Sequence, residues 1–167
     1  MPAPAVAMFR AIHQLLLALW VGFGAHLFLL EGLAARVLGD RQAAERLFVA
    51  VEAQAEPYAL GALPLLVVAL RLGWEGHRLR FRTWTLIGLG LTLVANRFFV
   101  RPLWQRLEAS FRAAAEAGAA TEAALNQVHW AQEAVVVLTA AQVVLAAVLL
   151  VAGVAPGTSR RRTFISL

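Results

Sequence analysis

Six polar side chains, on or beside four apolar stretches, have the types and spacing that could do chemistry. His129 and Glu133 are four residues apart, so a helix would place them one turn apart on the same face. A histidine beside a carboxylate can ligate a metal, and two histidines on separate helices can ligate haem. The six candidates are His26, Glu56, Asn96, Arg97, His129 and Glu133.

The elements that must carry these residues follow from composition. Hydrophobic residues make up 60% of the 167-residue chain, and the mean hydropathy is +0.69. A soluble domain this small has too high a surface-to-volume ratio to bury that much apolar surface, so lipid is the expected solvent. The sequence therefore predicts an all-α, polytopic membrane protein, formed by a single domain over residues 1–167.

Four transmembrane spans are predicted, over about residues 10–38, 57–72, 83–100 and 128–155. The first apolar run lies between Arg10 and Glu31 and is twenty residues long, interrupted only by His13, Gln14 and His26. At 1.5 Å per residue it matches a hydrocarbon core of ~30 Å. Gly39 can supply a left-handed C-cap after the first span, and Asp40 can cap the next helix. Pro57 suits the first turn of span two, and Pro64 is expected to kink it.

Two amphipathic helices are predicted between the spans, over about 41–54 and 103–117. Their apolar stripes suit helices that lie on the membrane interface or pack back on the bundle. Residues 156–167 are predicted to be a flexible tail. Tight helix crossing is expected at an aromatic residue and four glycines, which are Trp20, Gly22, Gly24, Gly88 and Gly90.

Charge predicts orientation and partners. All 15 basic residues are arginines, and they cluster at the edges of apolar runs. They do not form a basic face with interleaved aromatic residues, so nucleic acid is not expected as a partner. The termini and the connector after span two hold eight arginines, against seven in the longer connectors, which predicts cytoplasmic termini. The arginine-rich, Ala-, Leu- and Val-rich composition suggests a bacterium and hence its cytoplasmic (inner) membrane.

The positions of the six candidates along their predicted helices place them at one end of the bundle. His26 lies ~24 Å along the first helix from Arg10, near the outer edge of the membrane. The other five fall at the same end of their own spans. One interpretation is a ligand site, because ionisable groups at membrane depth are costly and often functional. The other is structural: Arg97 reaches toward the headgroups, paired with Glu56 or Glu133, while His129 and Glu133 lie at the interface.

Several short motifs resemble those of known families. His13 with Trp20-x-Gly22, Asn96 with Pro102, and the Val-His-Trp segment at His129 together resemble the four-helix transmembrane-protein-205-like family, over roughly residues 8–154. That resemblance implies a four-helix membrane protein of uncharacterised role. The Ala-Ile-His13 and Trp20-x-Gly22 pattern of the first span is also similar to HemJ-type protoporphyrinogen oxidases, which implies haem b as an alternative cofactor.

Three functions are compatible with the sequence. The first is a non-enzymatic accessory or structural membrane component, with the lipid bilayer as partner and a homo-oligomer or a larger membrane complex as its context. It is favoured because no nucleotide fingerprint, zincin motif, nucleophile elbow or phosphate loop is present. The second is a haem- or metal-binding redox protein that uses His26 with His129, or His129 with Glu133. The third is a small-solute carrier or channel, which needs an oligomer because four spans leave little room for a pore.

With no cysteine, thiolate catalysis and thiolate metal sites are excluded.

Overall fold

The chain folds into an all-helical bundle in a computed structural model that describes residues 3–75 and 77–154. The helices are α1 (Ala3–Leu38), α2 (Arg41–Gly73), α3 (His77–Ala95), α4 (Arg101–Glu116) and α5 (Glu122–Val154), and a π-helical segment (Asn96–Val100) joins α3 to α4. Within the described residues, four helical stretches are long and apolar enough to cross a membrane: Ala3–Leu38, Arg46–Gly73, Leu79–Glu116 and Glu122–Gly153. The predicted tail, 156–167, lies outside the described residues, as does the end of the fourth predicted span.

Two tight turns join the long helices at one end of the bundle. Gly39 has a φ of +64° directly after α1, where an L side chain would be strained. The Asp40 carboxylate then accepts a hydrogen bond from the Ala43 N–H at 3.3 Å, which caps α2. At the second turn, Gly118 has a φ of +68°, and the Thr121 hydroxyl accepts from the Ala124 N–H at 3.3 Å. The predicted Gly39 C-cap and Asp40 N-cap are therefore confirmed.

The two predicted interfacial helices are not separate elements. Residues 41–54 form the first half of α2, which runs unbroken through Pro57 and Pro64. A proline removes one backbone donor, and here the neighbouring turns pack along α1, so the helix continues. α2 therefore starts at Arg41, and a helix start at Pro57 is wrong, whereas a membrane boundary at Pro57 stays a prediction. The kink expected at Pro64 stays a prediction.

The second amphipathic stretch continues span three through the π-helical turn. The Arg101 N–H donates to the carbonyl of Asn96, five residues earlier, which is the wide spacing of a π turn. Pro102 follows directly in the first turn of α4, where its missing N–H is tolerated. The apolar stripes of both stretches turn partly inward: Phe48 and Trp104 are buried in the same cluster. The structure thus favours packing back on the bundle over two helices lying on an interface.

Two apolar clusters fill the bundle. One lies toward the end of the bundle where α1 begins and joins α1, α2, α3 and α5; its buried residues are Leu17, Leu66, Leu70, Trp74, Leu86, Leu89, Ala146 and Leu149. The other lies toward the Gly39 and Gly118 turns; its buried residues are Leu27, Phe48, Val49, Trp104, Val128, Ala131 and Val135. In α2, in α5 and at the junction of α3 and α4, residues between the two clusters form the polar site described below.

The five residues predicted to allow close helix packing differ in their surroundings. A Cβ atom added at Gly24 would overlap the Val143 side chain, so α1 and α5 approach closely there. At Gly88 and Gly90 an added Cβ would meet leucine side chains at 3.6 and 3.9 Å, which is ordinary contact. Gly22 has nothing within 4 Å. Trp20 is half-buried against the cluster around Leu17.

Candidate functional site

A buried ion-pair network occupies the level between the two apolar clusters. Glu52 and Glu56 lie one turn apart on α2, and both carboxylates face the bundle interior. The Arg101 guanidinium contacts both: Nη2 pairs with Glu52 Oε2, and Nη1 lies 3.1 Å from Glu56 Oε2. Arg97 Nη1 lies 3.2 Å from the same Glu56 oxygen. Two carboxylates and two guanidiniums therefore share one cluster.

Neutral side chains complete the coordination of Glu52. Asn96 Nδ2 donates to Glu52 Oε1 at 2.9 Å, and the Thr139 hydroxyl donates to the same oxygen. Thr139 Oγ1 also lies 2.9 Å from the Val135 carbonyl one turn earlier in α5. The network thus ties α2 to the α3–α4 junction and to α5.

The π turn is what brings Asn96 and Arg101 to the same carboxylate. In a regular α-helix residues five apart point in different directions, whereas a π turn places them on the same side. Asn96 and Arg101 are five apart, and both contact Glu52. A local change of helical pitch therefore sets the geometry of the site, as π bulges often do at functional positions.

The ion pairs between the glutamates and the arginines offset the cost of burying their charges. An isolated charge in a low-dielectric interior costs several kcal/mol, and a charge pair offsets that cost only when its hydrogen bonds are satisfied. In the cluster the two acidic and two basic groups are matched in number, and Glu52 has partners on both oxygens. Such an arrangement holds helices in register, although Glu56 Oε1 and Arg101 Nε have no hydrogen-bond partner within it.

A side cavity of about 510 Å³ adjoins this network. Its walls come mainly from α1, α2 and α5 and are largely apolar, with Leu19, Trp20, Phe23 and Val143 among them. Polar groups face it at the level of the network, where Glu52, Glu56, Thr139 and Gln142 contribute to the lining. The cavity therefore has a long apolar part and a polar wall.

The structure brings three of the six predicted residues together and leaves three apart. Glu56, Asn96 and Arg97 belong to the network, and Arg97 pairs with Glu56, the first of the two partners expected for it. His129 Nε2 lies 3.1 Å from Glu133 Oε1, and their side chains are 41% and 43% exposed, so this pair lies on the surface. His26 is also exposed.

The expected metal ligands do not form a cluster in the described part of the chain. Among residues 3–75 and 77–154, no group of three or more His, Asp or Glu side chains is placed to hold a metal ion. The His129–Glu133 pair remains the one-turn arrangement that the spacing predicted. Haem or metal binding through these residues stays a prediction.

The sequence did not lead us to predict three members of the network, which are Glu52, Arg101 and Thr139. A usable signal was present for two of them. Glu52 and Glu56 are four residues apart, and so are Arg97 and Arg101, so each helix presents two like charges on neighbouring turns. Two such pairs of opposite sign at matching depth on different spans favour mutual pairing. Thr139 carries no comparable signal.

A second polar cluster surrounds Trp74, at the end of the bundle where α2 is followed by α3. The Arg82 guanidinium lies 4.2 Å from the centre of the Trp74 ring, and the His13 ring meets it edge-on at 4.8 Å. Arg10 Nε donates to the carbonyl of Gly73 at 2.6 Å, and Arg82 donates to the carbonyl of Ala152. These contacts tie α1, α2, α3 and α5 together where the α2–α3 connection begins.

Comparisons of this chain with protein-family models, with curated proteins and with solved structures found no match. The resemblance to the transmembrane-protein-205-like family, and the weaker one to HemJ-type oxidases, therefore stay predictions.

Proposed function

We propose that this chain is an integral membrane protein that crosses the bacterial cytoplasmic membrane four times and acts as a non-enzymatic membrane component. Support for membrane insertion comes from the outer surface of the bundle. Large apolar side chains such as Leu29, Val37, Phe99 and Val151 are exposed along the four long helical stretches. A contiguous apolar surface of this extent is rare on soluble monomers and is what lipid would cover.

The observation that carries the non-enzymatic role is the way in which Arg101, Glu52 and Glu56 are paired. A catalytic acid, base or nucleophile must reach a substrate, whereas these buried groups contact one another. A charge-paired network at the centre of four spans instead fixes the bundle as one rigid body. Such a body suits an accessory subunit, which presents fixed surfaces and a fixed cavity to lipids or to partner chains.

We further propose that both termini face the cytoplasm. Of the seven arginines assigned to the opposite side, Arg101 is buried and pairs with Glu52. Arg82, on the side assigned to the cytoplasm, is buried as well. Without these two the count is seven arginines against six, which favours the same orientation by the positive-inside rule.

Labelling of single cysteines tests insertion and orientation together, because the natural chain contains no cysteine. Glu75→Cys, between α2 and α3, and Ala119→Cys, between α4 and α5, place exposed thiols at opposite ends. We expect Ala119→Cys to react with an impermeant maleimide in intact spheroplasts, and Glu75→Cys to react only after permeabilisation. Ala146→Cys, in the buried core, is the unreactive control. Labelling of both ends from outside, or release of the protein by alkaline carbonate, would contradict four membrane spans.

A second candidate function is ligation of haem or a metal at the exposed histidine end, as the sequence analysis suggested. The observation that favours it is the surface pair of His129 and Glu133, with 3.1 Å between Nε2 and Oε1, which is open to a ligand. The absorbance spectrum and metal content of the purified protein test this candidate. Absence of both a Soret band and a stoichiometric metal would remove it.

A further inference from the structure

Two buried polar atoms without a hydrogen-bond partner belong to residues that line the side cavity. Glu56 Oε1 is an acceptor that neither Arg97 nor Arg101 uses, because both arginines contact Oε2. Gln142 Nε2 is a donor with no partner. Both residues are 4% exposed, and both line the cavity. Buried polar groups are nearly always hydrogen-bonded, so each of these atoms calls for a partner.

The two atoms belong to side chains at the same level of the bundle. Glu52 on α2 accepts a hydrogen bond from Thr139 on α5, so these two residues share one level. α2 and α5 run in the same direction, since each follows a turn at the same end of the bundle. Glu56 is four residues after Glu52, and Gln142 is three residues after Thr139. At 1.5 Å per residue their levels differ by ~1.5 Å.

The two atoms need complementary hydrogen-bond partners. The Glu56 oxygen needs a hydrogen donor and the Gln142 amide needs an acceptor, and a hydroxyl supplies both. The charges of the network also favour an uncharged group. Arg97 and Arg101 already balance Glu52 and Glu56, so a cation would add an unbalanced charge to a buried site. An uncharged hydroxyl is therefore favoured over an ammonium group or a carboxylate.

The rest of the cavity suits an apolar chain that enters from the side. Along α1 the lining runs from Leu16 to Leu27, which is ~16 Å of helix, and the side chains there are largely apolar. Tyr58 is 81% exposed, and the lining residues Leu19 and Phe23 are exposed as well, so the cavity opens on the lateral surface of the bundle. Its volume of about 510 Å³ lies within the usual range for small-molecule sites.

We propose that this cavity binds an uncharged, long-chain membrane lipid with a hydroxyl headgroup. The hydroxyl donates to Glu56 Oε1 and accepts from Gln142 Nε2, and the chain lies along the apolar wall of α1 toward Leu16. The inference rests on the proposed membrane insertion, because the lateral opening must face lipid. It adds to the proposed function a ligand class and the residues that select it.

Photolabelling in vesicles tests the proposal with a defined probe. The purified protein is reconstituted in phosphatidylcholine vesicles with a long-chain alkanol that carries a diazirine on its chain. We expect saturable labelling of peptides from α1 and α2, with competition by the unlabelled alkanol. The hydrocarbon without a headgroup, the matching alkylammonium and the matching fatty acid serve as competitors of the same length. Equal competition by the hydrocarbon, or stronger competition by either charged amphiphile, would overturn the hydroxyl assignment.

Paired variants then tie the labelling to the cavity. Gln142→Leu removes the donor, and its control is Gln132→Leu, another buried glutamine of α5 with an unpartnered Nε2 that does not line the cavity. We expect Gln142→Leu to weaken alkanol affinity roughly three- to tenfold, the value of one hydrogen bond, and Gln132→Leu to leave it unchanged. Equal affinity in the Gln142→Leu and Gln132→Leu proteins would contradict the assigned donor.

A second pair of variants tests the apolar part without touching the polar network. Ala59→Phe fills the cavity, and Ala50→Phe places the same ring elsewhere on α2, at an exposed residue outside the lining. Labelling should be lost in the first and kept in the second, and labelling that persists in Ala59→Phe would refute the site. Carbonate extraction of the unsubstituted protein separates the two failures. If that protein stays in the membrane but is not labelled, the lipid site alone is overturned, whereas its extraction overturns insertion.

Discussion

Replacing Arg101 with leucine is expected to destabilise the bundle by about 3–5 kcal/mol, because it leaves a buried carboxylate without its counter-charge. The structure shows which carboxylate that is. Glu56 keeps its contact with Arg97, at 3.2 Å, whereas Glu52 keeps only hydrogen bonds from two neutral side chains. The effect should therefore come mainly from Glu52. Neutralising that residue as well, in the double variant Glu52→Gln/Arg101→Leu, should recover about 1–3 kcal/mol of the loss.

Reversible unfolding in mixed detergent micelles measures these differences. Each protein is titrated with a denaturing detergent, and helicity is followed by circular dichroism under conditions where the transition is two-state. Arg112→Leu is the matched control: its ion pair with Glu108 spans one turn of α4, and the Arg112 side chain is 66% exposed. Such a pair contributes about 0.3–0.5 kcal/mol. If Arg101→Leu costs no more than Arg112→Leu, or if the two changes in the double variant are additive, the network does not hold the bundle together.

Three further substitutions test separate parts of the structure. Gly24→Leu should lower the free energy of unfolding by about 1–3 kcal/mol, because the new side chain overpacks against Val143. Gly22→Leu, where the space is open, should change that free energy little. Equal effects of the two variants would contradict the close contact between α1 and α5. Asn96→Ala should lower the free energy of unfolding by about 1–3 kcal/mol, because the buried Glu52 Oε1 loses a hydrogen-bond donor. An unchanged unfolding midpoint would contradict that hydrogen bond. His129→Ala should shift the unfolding free energy by less than about 0.5 kcal/mol, since its pair is exposed; a marked loss of folded yield would show that it lies in a buried network.

The sequence is enough to predict the position of many site residues along the helix axes. A helix rises 1.5 Å per residue, so counting from the turns puts Glu56, Asn96 and Arg97 at matching depth on neighbouring helices. That count is enough to predict that they share one end of the bundle, and the Arg97–Glu56 pair follows from it. The same count places His26 and His129 near that end, but it does not say which way they face.

The direction in which each side chain points was decided by tertiary structure. His26 is exposed, and His129, whose side chain is 41% exposed, lies ten residues before Thr139 on α5, which is ~15 Å of helix. The π turn at Asn96 rotates the helix locally, so that Asn96 and Arg101 meet one carboxylate. Sequence periodicity assumes a regular pitch, so it cannot show a turn that departs from it.

The apolar runs and the turn residues of this chain were therefore readable from the sequence, because hydrophobic length and backbone caps are local properties. Gly39 ends α1 and Asp40 begins α2 through forces that act within a few residues. The unbroken course of α2 through Pro57 is different, because packing along α1 outweighs a local preference for a helix start. The pairing of Glu52 with Arg101 likewise depends on rotation and contact between helices, which only the packed bundle fixes.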